Sequence, residues 1–340
     1  EFVILIHRIY TNRVKTKTAG LDITFMILFL SCLFLPYGIS KVLDYQKIVY
    51  VISFLLMILM FLLFTKIKNE KSEYFHFLFL ISEKINIRIY YLILFVFTFI
   101  TQNRYLDYEM ISWDIPTYLV ASLPIEEGSL PYEAQWETKG PLHIYIYYFF
   151  LTLSSKSYIV FRLLNDFVLF LISYFLFQSV FKIANKKIYG MVSSILFLSI
   201  FSDPEYIGEF PELYALLFIS ISFYLYIVKN ITPKRLFVIG ILISCSSLII
   251  QVGAIFSLPF FFDMYFKEKF TKSNIINFFT GLFFPYIVFI LLYASKGLFY
   301  IFIMNYFLLP MGYTGYYDNQ LIYELRVWFR EFFGYNKQLL

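Results

Sequence analysis

The sequence predicts an all-α, polytopic membrane protein, and three observations carry that prediction. Hydrophobic residues make up 60% of the 340 positions, charged residues only 15%, and mean hydropathy is +0.71. Soluble domains carry about 25% charged residues. Gly and Pro number 13 and 11, too few for a collagen-like or low-complexity disordered chain. The two cysteines, Cys32 and Cys245, both lie in apolar runs, so a disulfide scaffold is excluded and nothing about redox compartment follows. The chain opens on Glu1 rather than Met and closes in an amphipathic stretch, which reads as a fragment.

A bilayer core of about 30 Å takes roughly 17–25 apolar residues per helix. Nine runs fit, some by borrowing from their flanks: 21–37, 47–65, 89–101, 157–181, 188–201, 212–228, 236–250, 253–266 and 276–294. Only Gln251 and Val252 separate the seventh from the eighth, which makes them a tight helical hairpin or a re-entrant pair. Charge sets the orientation. With a cytoplasmic N-terminus, the inner segments (7–18, 66–88, 182–187, 229–235, 267–272) hold 18 Lys/Arg and 4 Asp/Glu. The outer segments (38–47, 102–140, 202–212) hold 4 and 12. Basic residues gather on the cytoplasmic side of membrane proteins. The net charge of +5 is therefore topological and calls for no nucleic-acid partner. Three segments follow: 1–88, two spans with basic cytoplasmic loops; 89–310, the transmembrane module; and 311–340, the amphipathic, truncated end.

The 39-residue outer loop 102–140 is the informative segment. Loops longer than about 12–15 residues between packed elements are usually functional or disordered, and this one carries Trp113, Tyr118, Tyr132 and Trp136. Pro116–Ser122 reads as a short helix, with Asp114 as its cap and Pro116 in its first turn. Glu127-Gly128 and Leu130-Pro131-Tyr132 read as a stop and a turn, and Lys139-Gly140-Pro141 as a second turn. The apolar run 142–153 is only 12 residues long, short for a span. Crossing would also put Lys182, Lys186 and Lys187 outside, against the charge rule, so 142–153 is expected along the outer membrane surface.

The pattern Trp113-Asp114-x-x-x-Tyr118-Leu119-x-Ala121, then Gly128, Pro131-Tyr132 and Lys139-Gly140-Pro141 before an aromatic run, resembles the first outer loop of GT-C glycosyltransferases. These polytopic enzymes take sugar from a polyprenyl-phosphate carrier. They include the protein O-mannosyltransferases, the lipid A aminoarabinose transferase and bacterial cell-surface relatives. The resemblance covers about 89–310 and implies a GT-C-like helix bundle whose large first outer loop contains juxtamembrane helices. The order matches: span 89–101, then Asp114, then the Lys139 turn, then Arg162 in span 157–181. It implies Asp114 as the catalytic base and Lys139, with Arg162, as contacts to the donor phosphate. The reaction implied is inverting transfer to a cell-envelope glycan, lipid or protein, outside the cytoplasmic face of a bacterial inner membrane. One departure stands: many members have Asp-Glu at the catalytic position, and here Ile115 follows Asp114. That leaves open whether a divalent metal takes part, and whether Glu109, Asp107 or Glu133 stands in for the missing acid.

Each residue also has a plainer reading. Asp114 serves as a helix cap, and Lys139 as an interfacial lysine with its stem in the lipid. Arg162 pairs with Asp166 one turn along its own helix. Glu209 and Glu212 lie in an outer loop with four acids and no base, as acceptor-side acids or as acids favoured at a helix N-terminus. Gln251 reads as a turn residue and His143 as a surface histidine. No P-loop, dinucleotide glycine fingerprint or metal-spaced His/Cys cluster is present. Two other functions fit a polytopic chain. A transporter or flippase of lipid-linked glycans calls for polar, broken helices near mid-membrane and internal repeats. A glycan polymerase or ligase calls for outer-loop arginines, of which Arg104 is the only one.

Overall fold

The computed structural model describes residues 84–103, 114–201, 209–228, 231–266 and 271–310. Spans 21–37 and 47–65, and the segment 311–340, lie outside these. The described residues are helical, with no strand among them. In chain order the helices are α1 (Ile87–Asn103), α2 (Asp114–Ser122), α3 (Pro141–Leu153), α4 (Tyr158–Ala184), α5 (Lys187–Ile200), α6 (Pro211–Val228), α7 (Pro233–Ile249), α8 (Ser257–Phe266), α9 (Lys272–Ser295) and α10 (Phe299–Ile303). Short 3-10 turns cover Leu123–Glu127 and Gln251–Phe256, and a π-helical turn covers Met304–Leu308. Among the described residues, three helices are long and apolar enough to cross a membrane: α4, α6 and α9.

Contacts divide the chain into two compact units. The described part of the first joins residues up to Leu94 with Leu176–Phe197. Asn86 starts α1 there by accepting the Arg88 N–H at 3.0 Å. Phe177 packs between the Tyr90 and Tyr91 rings at 5.8 and 5.6 Å, and Lys187 caps the Ile85 carbonyl at 2.9 Å.

The second unit joins Phe95–Phe175 with Leu198 onward and holds the described part of segment 102–140. Its centre is the α7–α9 crossing. A Cβ on Gly281 would lie 2.0 Å from the Phe237 carbonyl, and one on Gly240 would lie 2.4 Å from that of Phe278. The two backbones meet because neither glycine has a side chain, the device by which helices associate where lipid removes any hydrophobic drive. Below the crossing, Leu236, Ile239, Ile243, Phe260, Met264 and Phe278 form one buried cluster. The run 253–266 is resolved by this packing. Gln251 follows the end of α7 and reaches the Thr138 carbonyl, while Asp263 in α8 accepts from Tyr226, near the far end of α6, at 2.6 Å. The seventh and eighth runs are thus a helical hairpin.

Helix α3 lies across the ends of its neighbours. The Tyr147 and Phe150 rings meet Phe161 of α4 and Tyr214 of α6, each one turn from its helix start. The 13 residues of α3 span about 20 Å, well short of the roughly 30 Å of a bilayer core.

Candidate functional site

A group of polar side chains of the second unit gathers where α2, α3, the starts of α4 and α6, and the end of α7 meet. The loop between α2 and α3 is ordered by its own chemistry. Gly128 ends the first 3-10 turn at φ 87, a left-handed conformation that glycine adopts without strain. Glu133 accepts the Leu130 N–H at 2.8 Å and closes the next turn. Tyr293 of α9 donates to the Pro131 carbonyl at 2.8 Å, and Lys296 donates to that of Gly128.

Lys139 leads into α3 and reaches Glu212, in the first turn of α6, at 2.7 Å. Lys139 and the start of α6 therefore lie at the same end of this unit. The next residue, Gly140, donates its N–H to the Ile249 carbonyl at 2.8 Å, and a Cβ on it would lie 2.0 Å from the Leu248 carbonyl. Alanine there has to push the turn off the end of α7. We expect Gly140→Ala to cost about 1–3 kcal/mol, the usual range for overpacking a close contact. The check is thermal unfolding in detergent; an unchanged midpoint would mean that the contact is loose.

His143 is fully buried, contrary to its reading as a surface residue. Its Nδ1 lies 2.5 Å from the Gly140 carbonyl, which can only accept, so Nδ1 carries the proton. Burial drives the ring down to about 3, with the nearby Lys139 charge adding to the fall, so the imidazole is neutral. Its ring meets Tyr118 of α2 edge-on at 4.9 Å, and Tyr118 in turn meets Tyr147 at 5.6 Å. This stack fixes α2 on α3. Asp114, exposed in the first turn of α2, lies one helical turn before Tyr118 and so on the same face.

The second constellation is buried. Arg162 is only 4% exposed and donates through Nε to Glu209 Oε1 at 2.8 Å; Glu209 itself is 1% exposed. Tyr158 donates to the other carboxylate oxygen at 2.7 Å, and Tyr147 donates to the Glu209 main-chain carbonyl. Desolvation raises the Glu209 carboxyl, against the pull of Tyr158 and Arg162 towards the charged form. Asp166, one turn below Arg162, is also buried, and its Oδ2 has no hydrogen-bond partner. The arginine thus reaches a partner outside its own helix, Glu209, beside Asp166 one turn along it. Next to it, Tyr214 donates to Asn165.

The structure brings Lys139 to Glu212 and Arg162 to Glu209, and leaves Glu133 in a local turn. Glu109 and Asp107 lie outside the described residues. Among the described residues, no three His, Cys, Asp or Glu side chains gather to hold a metal. Glu209 is already committed to Arg162 and Tyr158, so it is a poor ligand. Sequence reasoning missed Tyr147, Tyr158, Glu137 and the reach of Gln251. In a chain with 31 tyrosines no local signal marks two of them. Comparisons with protein-family models, curated proteins and solved structures return no match to this chain.

Proposed function

We propose that this chain is a multi-pass, GT-C-like glycosyltransferase of a bacterial inner membrane. It moves a sugar from a polyprenyl-phosphate donor to a cell-envelope acceptor outside the cytoplasm. The observation that carries the reading is the meeting of the two outer loops: Lys139 against Glu212, with the helix bearing Asp114 stacked on the helix that Lys139 introduces. The loop motif from Trp113 to Pro141 supports it, as does the surplus of acids over bases in the outer segments.

The reaction would run as a single inverting displacement. An acceptor hydroxyl attacks the anomeric carbon while Asp114 takes its proton. The bond from that carbon to the phosphate oxygen breaks, and its electron pair leaves with the polyprenyl phosphate. The phosphate gains a negative charge in this step, and Lys139 is placed to stabilise it. Glu212 holds the Lys139 ammonium until a donor phosphate replaces it. Arg162, which the resemblance makes a donor-phosphate contact, is bound to Glu209 inside the protein, where it anchors the approach to the first turn of α6 and so to Glu212. Helix α3, too short to span, would lie in the outer headgroup layer, where aromatic rings such as Tyr145 and Tyr148 are favoured.

The deciding experiment is release of sugar from candidate polyprenyl-phosphate sugars by the purified protein. Orientation is tested separately. Helix α4, about 40 Å long, would carry the chain from the outer to the inner face. In intact cells, Ser129→Cys should react with a membrane-impermeant thiol reagent and Lys186→Cys should not. The reverse pattern would overturn the orientation.

A further inference from the structure

Lys139 sits in a three-residue segment whose six backbone polar groups all have partners. Glu137 Oε1 accepts the Thr138 and Lys139 N–H groups at 2.7 and 3.1 Å. Gln251 Nε2 donates to the Thr138 carbonyl at 2.7 Å, and the Tyr132 hydroxyl donates to that of Lys139 at 2.5 Å. Gly140 gives its N–H to Ile249, and its carbonyl takes His143. Regular secondary structure supplies none of the partners of Thr138 and Lys139. A loop at a protein surface can leave such groups to water at little cost. Fixing them all with side chains does more than connect two helices: it holds one cation in place before any ligand arrives, which is what stabilising a developing charge requires.

Gln251 is the distinctive member of this set. It comes from 113 residues downstream and donates at the same time to the Tyr306 carbonyl at 3.1 Å. Tyr306 belongs to the π-helical turn Met304–Leu308, an irregularity frequent at functional sites. Its hydroxyl is tied to Ser247 of α7. One side-chain amide, just past the end of α7, therefore joins the Lys139 segment to the Met304–Leu308 turn.

We propose that Gln251 is a positioning residue, which acts through the Thr138 carbonyl to aim the Lys139 ammonium at a lipid-linked phosphate. This rests on the phosphate-binding reading of Lys139 given above. The probe is undecaprenyl phosphate binding to the full chain in detergent, with undecaprenol and inorganic phosphate as comparison ligands. Lys139→Ala should weaken undecaprenyl phosphate binding at least tenfold. Gln251→Met, close in size but unable to donate, should weaken it about tenfold, the worth of one well-made hydrogen bond in a charged site. The double variant should bind no more weakly than Lys139→Ala alone, because Gln251 has nothing left to aim. Undecaprenol binding should be unchanged in all three, and inorganic phosphate should bind far more weakly than the lipid.

Equal losses from Gln251→Met with and without Lys139, or an equal loss of undecaprenol binding, would overturn the proposal and make Gln251 a structural bolt. Wild-type binding by Lys139→Ala would instead remove the phosphate reading, and the proposal with it. Binding of inorganic phosphate as tight as that of the lipid would make the source a free anion and overturn the lipid-linked assignment. If Gln251→Met does not fold, Gln251→Asn takes its place in the cycle: it keeps the amide but shortens the reach, and the same coupling is expected.

Discussion

Asp114→Asn is expected to lower sugar transfer by roughly 10²–10⁴-fold, the usual worth of a general base, while leaving folded yield at the wild-type level. The substitution separates the proposed base from the structural role of an acid in the first turn of a helix. Asp114 is an acid in the first turn of α2, where a carboxylate is favoured by the helix dipole and a short polar side chain satisfies backbone N–H groups. Asparagine caps a helix about as well as aspartate, so the structural role survives the change. Only the proton acceptor is lost. Asp114 is exposed at the surface, where an acceptor hydroxyl can reach it, and the Tyr118–His143–Tyr147 stack holds its helix against α3. The measurement is turnover on a polyprenyl-phosphate sugar that the wild-type protein cleaves, normalised to folded protein. Full activity in Asp114→Asn would end the general-base assignment and leave a cap; Glu109 and Glu133 would then be the next acids to replace.

Arg162→Met is expected to be the most destabilising of the substitutions considered, at about 3–5 kcal/mol, the usual result of removing one partner from a buried ion pair. Domains are stable by about 5–15 kcal/mol in total, so this is a large share. The asymmetry of the cluster decides which side is worse to lose. Without Arg162, two buried carboxylates, Glu209 and Asp166, remain with no other cation among the described residues of the cluster. Glu209→Gln instead keeps an acceptor for Arg162 and leaves Asp166 one turn away to balance the guanidinium. Glu209→Gln should therefore cost much less.

The pH dependence has a definite sign. The folded carboxyl of Glu209 is raised above its ordinary value of 4.5, so its contribution to stability is full below that pH and is lost as pH rises through the folded value. Removing Arg162 takes away a group that pulls this carboxyl down, so the loss becomes larger. The deficit of Arg162→Met should shrink as the medium is acidified from neutral towards pH 4.5. The check is denaturation in detergent across that range. A deficit that stays constant with pH, or an Arg162→Met protein as stable as wild type at neutral pH, would show that the pair is not the stabilising contact assigned here.

The helices were largely legible because their signals are local. Apolar runs, prolines at first turns and capping threonines lie within a few residues of what they specify. Runs 157–181, 212–228 and 276–294 appear as α4, α6 and α9, each within a few residues, and the stop at Gly128 and the turn at Gly140 fall where composition placed them. The hairpin of α7 and α8 was not decidable locally, because a re-entrant pair and a hairpin share the same apolar pattern. Packing of Phe260 and Met264 against Leu236 and Phe278 decided it.

The site divides in the same way. The sequence by itself determined that the described residues are helical and apolar, with the acids of 102–140 and 202–212 set apart from basic segments, and it singled out Asp114, Lys139, Arg162, Glu209 and Glu212 by type and place. Only the tertiary structure decided who meets whom: Arg162 with Glu209 across 47 residues, Lys139 with Glu212 across 73, and Gln251 with the Lys139 segment across 113. Composition and periodicity report on a residue's own helix, whereas an ion pair or a buried amide depends on which helix ends converge. That convergence is set by close backbone crossings such as Gly240 with Gly281, and no local pattern records it.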